Sequence, residues 1–450
     1  MIRILRATLA AAAVTAAFAV PASAATWTPV SGLIPAGATA ATLDGPRVLV
    51  AATSASGKRA VVATIAGGRV ARTETIPLGT STGTVRFLQV ASLPGGRSLA
   101  VWQGTDGVLA SLRPSATARF APAQTISTFA GATTGAARIP ALAVTTNGEP
   151  VVVWWGGPEG RTPANWASSM ASDGTWDAPV DITSGTYPTR WIGGSGPTQQ
   201  ELAIAPDPAG GLVAAWIGRE QISLGNLIAG AARSPSGQWG PVADLGVADS
   251  DPPVPAVVAP APGVVLGAWA DWSYRRYPSP GCVTSGVLGG DSVTPADVMC
   301  GDRLRPFDVR MVPTGDGGAL LAATLGDPAI GTGIQSISTL GRTGTWTPST
   351  VAIARPGRMA GLVPTTGDRA ALVTATDTLS LKDAVRVALV RANGTVQRRI
   401  GGPGRPARTL GRVQVLPLGP GARVALLLTP TTSTGLRPPW RARILTIGPG

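Results

Sequence analysis

Aromatic rings and guanidinium groups crowd into a few stretches that interrupt an otherwise apolar, Gly- and Pro-rich chain. The densest is DWSYRRYPSPG at 271–281, which holds Trp272, Tyr274, Arg275, Arg276 and Tyr277. Trp155 and Arg161 fall in 155–165, Arg190 and Trp191 in 184–200, and Arg219 opens 219–226. Aromatic faces stack on sugar rings or bases, and an Arg fork fits a carboxylate or phosphate bidentately. These residues form a candidate ligand-binding set. The competing reading is that the Trp and Tyr rings fold their loops down onto the scaffold beneath them.

Several reaction classes are excluded by what the chain lacks. It has no histidine, which removes a Ser-His-Asp triad, imidazole acid–base chemistry and most zinc sites. GTSTG at 79–83 fits a nucleophile-elbow pattern, but no base exists to activate Ser81 in that way, and the segment reads as a turn. No Gly-rich phosphate loop ending in Lys is present. No cofactor, no metal and no catalytic residue is assigned.

The elements that must position these loops come from an internal repeat. PALAVTTNGEPVVVWWGG (140–157) aligns with ELAIAPDPAGGLVAAWIG (201–218). The unit reads as an apolar strand, a tight turn, a Val/Ala-rich second strand, a variable loop, and then a third and a fourth strand. Second strands recur at 47–52, 98–102, 150–154, 212–216, 264–269, 319–323, 369–374 and 423–428. Their spacing of roughly 50–60 residues with four strands per unit is the pattern of a propeller blade. The expected fold is all-β: a single β-propeller of about eight four-stranded blades, with seven as the alternative.

The mature N-terminus, ATWTPVSGL (25–33), reads as a fourth strand and completes the last blade, so that Trp27–Gly32 joins 441–446 and removes an open sheet edge. Trp102, Trp154, Trp216 and Trp269 share one repeat position, and Trp27, Trp176, Trp239 and Trp346 share another. Both sets are assigned to packing between blades. Cys282 starts a third strand and Cys300 ends the fourth beside it, which favours a disulfide over two free thiols. Such a bond stabilises by roughly 3 kcal/mol in the chain-entropy picture. Loops from second to third strands and from blade to blade open on one face; they are the long ones, whereas turns at the opposite face read as mostly short.

Residues 1–24 read as a signal peptide, with Arg3 and Arg6 before an apolar run and Ala22-Ser23-Ala24 as the cleavage site. The run is too short to anchor the chain in a bilayer, and residues 25–450 form the propeller domain of a secreted, extracellular protein. Arg outnumbers Lys 35 to 2, and the net charge of +13 is uneven. No acidic residue follows Asp383, while Arg386 to Arg443 includes 11 arginines. Such a region attracts polyanions; a solvated basic face explains it equally well.

RIPALA (138–143) opening a first strand, and SDGTW (172–176) before a fourth, resemble bacterial sialidases and their Asp-box (BNR-repeat) propellers. The resemblance implies that Arg138 grips a substrate carboxylate at the mouth of the central channel, and that SDGTW is a structural turn. Arg86, Arg358 and Arg412 also open first strands and could join Arg138 in an arginine cluster. The chain departs from that family at the catalytic positions. No Asp lies between Arg138 and Asp173, and no glutamate follows Glu220.

The leading functional reading is a secreted, non-catalytic binding propeller for carbohydrate or another anionic ligand at the loop-rich face. A divergent sialidase-like exo-glycosidase and an envelope interaction scaffold are the alternatives. The expected partner is a glycan or anionic polymer; the chain is expected to be a monomer, without a nucleic-acid partner or a membrane anchor.

Overall fold

Short apolar runs bounded by Gly and Pro give strands throughout. The computed structural model describes residues 25–448, except 36, 55, 79–83, 106, 129–137, 157–163, 184–201, 220–225, 249–254, 272–280, 289–295, 301–304, 328–331, 342–343, 366–367, 377–383, 404–413 and 431–438. Among the described residues the strands group into antiparallel units in chain order: 38–75, 86–128, 138–181, 202–248, 256–300, 305–353 and 358–401. A final unit joins 414–447 to the N-terminal strand Ala25–Ile34. Units are numbered 1 to 8 in that order below. All eight expected second strands are present, from Arg47–Thr53 to Arg423–Pro430.

Within each unit the strands run up and down as neighbours. First strands begin, and second strands end, at what is called here the upper end; the first-to-second turns lie at the lower end. The first strand of each unit lies beside that of the next, and the first strand of unit 8, Gln414–Pro417, lies beside that of unit 1, Ala38–Asp44. Leu43 N–H donates to Leu418 O at 3.2 Å across this last junction.

The core is divided among the junctions. Each of eight apolar clusters is shared by two successive units. The one joining unit 8 to unit 1 includes Val30, Ile34, Val48, Leu426 and Ile444. Trp102, Trp154, Trp216 and Trp269 are all buried and pack toward the preceding unit. Trp27, Trp176, Trp239 and Trp346 pack against junction clusters as half-buried side chains. Truncating a fully buried Trp to Ala removes about 3–5 kcal/mol.

The N-terminal strand completes unit 8 as expected and does more. Ala25 to Val30 pair with Ile447 to Ala442, and Ser31 then bridges Arg69 on the outer strand of unit 1. One strand therefore joins two units into an eight-stranded sheet.

The fourth strands and lower connections correct the sequence reading. The segment GTWDAPVDI (174–182) does not form a continuous fourth strand: Trp176 makes only an isolated bridge to Met170, and pairing resumes at Val180–Asp181. Pro179 lies in the gap and has no N–H for the ladder. Trp239 and Trp346 make equivalent isolated bridges, followed by Pro241 and Pro348. Third-to-fourth connections such as 114–123 and 170–179 are consequently longer than expected. Buried serines span the breaks: the Ser111, Ser168 and Ser338 hydroxyls donate to the carbonyls of Ala121, Asp177 and Thr347 at 2.6, 2.8 and 2.5 Å.

Candidate anion-binding rim

Four first strands begin with arginine: Arg86–Leu93, Arg138–Val144, Arg305–Pro313 and, within the long strand Thr350–Pro364, the segment from Arg358. Soon after each of these starts the strand bulges. Pairing shifts between Arg86 and Gln89, Arg138 and Ala141, Phe307 and Arg310, and Met359 and Gly361. A bulge bends a strand and re-aims its side chains. Two of these bulges hold a non-glycine residue in the left-handed region, Phe87 at φ 52° and Asp308 at φ 51°. That conformation is uncommon outside glycine and marks a constrained position.

Hydrogen bonds tie the inner strands together near this end. Gln414 Nε2 donates to Ala38 O at 2.8 Å, and Thr39 Oγ1 to Leu88 O at 2.6 Å. Gln89 bridges units 2 and 3 in both directions: its Nε2 donates to Pro140 O at 2.6 Å, and its Oε1 accepts from Leu142 N at 3.0 Å. Arg86 and Arg358 are exposed and form no ion pair among the described residues. Arg310 does, with Asp308 at 3.1 Å.

Among the sequence-derived candidates, Arg138 and Trp155 are brought together. They occupy opposite positions in the ladder of unit 3, with Asn165 opposite Trp155 on the next strand. Trp155 is half-buried. Arg161, Trp191, Trp272, Tyr274, Arg275, Arg276 and Tyr277 lie outside the described residues, as do Arg190, Ser81 and Arg412.

The disulfide joins Cys282 to Cys300, opposite each other in the ladder. Asp271 pairs with Cys282, so the bond ties the start of the third strand, beside the end of the second, to the end of the fourth. Arg305 joins the series of strand-opening arginines and was not singled out from the sequence. Its signal, RPF aligned with RIP, was legible only once the bulge position was known.

The opposite end uses charge differently. Arg113, fully buried at the end of a third strand of unit 2, donates to Asp44 of unit 1 at 3.2 Å and to Ser98 Oγ at 2.8 Å. Arg47 also pairs with Asp44. Burial lowers the Arg113 guanidinium from its ordinary value, opposed by the Asp44 charge. Arg233, at the same position in unit 4, grips Glu149 of unit 3 through two bonds of 2.9 and 2.5 Å and Ser169 Oγ at 2.9 Å. In the SDGTW turn, Thr175 donates its N–H and hydroxyl to Asp173 Oδ1 at 2.9 and 2.7 Å, holding that exposed carboxyl below its usual range. Gly174 stands there at φ 91°, which a side chain would strain.

No known protein family matches the chain, and no curated protein does. Among solved structures, the polysaccharide lyase Uly1 is 10% identical, with 92% of this chain and 91% of that one aligned at a TM-score of 0.51. The α-L-arabinofuranosidase Arb93A of Fusarium graminearum is 12% identical over 69% of this chain and 92% of its own, at 0.41. A puromycin-hydrolysing peptidase of Mycobacterium tuberculosis is 15% identical over 88% of this chain and 59% of its own, at 0.49. The lyase likeness shows a shared all-β, propeller-type fold, and a fold of this kind hosts several chemistries. The sialidase resemblance stays confined to its two short motifs.

Proposed function

We propose that this chain is an exported, single eight-bladed propeller that binds anionic carbohydrate at the upper rim without cleaving it. The observation that carries the reading is the recurrence of arginine at the start of the first strands. Arg86, Arg138 and Arg358 are set by the bulge that follows them, and Arg86 and Arg358 make no ion pair among the described residues. An Arg fork matches the planar carboxylate of an acidic sugar. Trp155, Arg161, Trp191, Trp272, Tyr274, Arg275, Arg276 and Tyr277 complete the surface in this reading, as stacking platforms and further anion contacts.

Eight shared apolar clusters, the last linking unit 8 to unit 1, support single-ring closure. The disulfide suits export to an oxidising compartment. Among the described residues no helix is long and apolar enough to cross a membrane.

An array of acidic and neutral oligosaccharides tests the reading. Acidic glycans bind, neutral ones do not, and Arg86→Ala and Arg138→Ala each lower affinity about tenfold, the equivalent of about 1.4 kcal/mol. No acidic ligand, or undiminished binding by both variants, overturns it. Release of a sugar product from any bound glycan overturns the non-catalytic assignment.

A further inference from the structure

The junction between units 1 and 2 buries more charge than the clamp of Arg113 on Asp44. The outer strand of unit 1, Arg69–Thr75, carries Arg72 and Glu74 on the side that faces unit 2. Arg72 shows this directly: its Nη1 donates to Thr117 O at 3.1 Å and Ala118 O at 2.8 Å in the connection 114–123 of unit 2. The Glu74 side chain is 9% exposed, and its Oε2 pairs with Arg72. Its Oε1 is buried and accepts no hydrogen bond. Burial raises the Glu74 carboxyl above its ordinary value, opposed by the nearby charges of Arg72, Arg113 and Arg119.

Arg113 presents the complement. Besides its bonds to Asp44 and Ser98, its Nη1 donates to Thr64 Oγ1 at 3.4 Å, and the Phe120 ring centre lies 5.4 Å from Cζ. Its Nε–H is buried and has no acceptor. Thr64 stands opposite Arg72 in the ladder, with Glu74 next but one along the strand, opposite Val62. An unpartnered acceptor and an unpartnered donor of opposite charge therefore meet in one part of the junction. Leaving either group unbonded is costly. A direct bond between them is opposed by the rigid planar guanidinium, which Asp44, Ser98, Thr64 and Phe120 already fix. Turning Nε toward Glu74 would break those contacts. A buried water bonded to otherwise unsatisfied polar groups meets both needs without moving either side chain.

We infer that an internal water molecule bridges Glu74 and Arg113, donating to Oε1 and accepting from the Nε–H. The bridge joins the Arg72–Glu74 pair on the outer strand to the Arg113–Asp44 clamp. Charges that otherwise form two separate pairs then make one network across the junction, and the connection 114–123 is held against it by Arg72 and by Arg47, whose Nη1 donates to Ala116 O at 2.9 Å.

A crystal structure that resolves ordered solvent tests the inference. In the wild type a water lies about 2.7–3.2 Å from both atoms. A direct Nε–Oε1 hydrogen bond, or the two groups facing each other with no water between them, overturns it. NMR of protein isotopically labelled at arginine gives a second readout. The Arg113 Nε–H shows cross-relaxation with a long-lived water in the wild type and in Glu74→Gln, which keeps an acceptor oxygen. Glu74→Met, which removes the acceptor, loses that signal, while the Nε–H signal of Arg233, at the same position in unit 4, stays unchanged. Circular dichroism confirms that both variants are folded. A water signal that survives in Glu74→Met, or one missing from the wild type, overturns the bridge.

Discussion

The two ends of the first strands carry opposite charge, and the protein treats that charge in opposite ways. At the lower end, Asp44 and Glu149 are gripped by Arg113 and Arg233 from the next unit. Asp207 accepts from Ala209 N–H at 2.8 Å, and Asp316 accepts from Thr314 Oγ1 at 2.5 Å. At the upper end, arginine opens four first strands, and among the described residues Arg86 and Arg358 have no carboxylate partner. Compensated charge fastens units to one another. Charge left facing solvent attracts a ligand of opposite sign.

This contrast predicts which variants lose the fold and which lose only the ligand. Asp44→Ala strands a fully buried guanidinium and should lower unfolding free energy by about 3–5 kcal/mol in urea titration. Asp44→Leu with Arg113→Met should recover most of that, since an apolar pair of similar volume is often as stable as the ion pair. A full loss in the double variant would show that the pair does more than neutralise itself.

Glu149→Ala leaves Arg233 with Ser169 and should remove about 1–3 kcal/mol, because Glu149 is itself part-exposed. Asp173→Ala should lower the melting temperature slightly at neutral pH. The Asp173 carboxyl is held low in the fold, so its contribution is present above the unfolded value of about 3.9 and is lost as pH falls through the folded value. The gap between wild type and variant should therefore close in acid; a constant gap would assign the effect to backbone freedom instead. At the small end, Arg86→Ala and Arg358→Ala should change stability by no more than about 0.5 kcal/mol while weakening acidic-glycan binding. A large stability loss at either would erase the contrast between the two ends.

Much of the scaffold was legible in the sequence because its signals are local and repeated. Turn residues and apolar runs recur at a fixed period, so the second strands, the framework tryptophans, the closing N-terminal strand and the cysteine pair could be read by alignment. The prolines that follow Trp in GTWDAP, GQWGPV and GTWTPS interrupt the fourth strand, and the serines that bridge the break carry no distinguishing pattern in sequence. The rim was half legible. Arg86, Arg138 and Arg358 stood at strand starts, but Arg305 and the shared bulge emerged only from pairing register, which depends on the partner strand.

What the sequence by itself determined is the repeat, the placement of apolar residues within it and the excess of arginine in its last part, since these depend only on residue type and spacing. Tertiary structure alone decided which charges meet. Arg113 and Arg233 close strands that look like any others, and Asp44 and Glu149 lie 69 and 84 residues before them. Whether an arginine becomes a clamp or an open anion contact depends on what the neighbouring unit places opposite it.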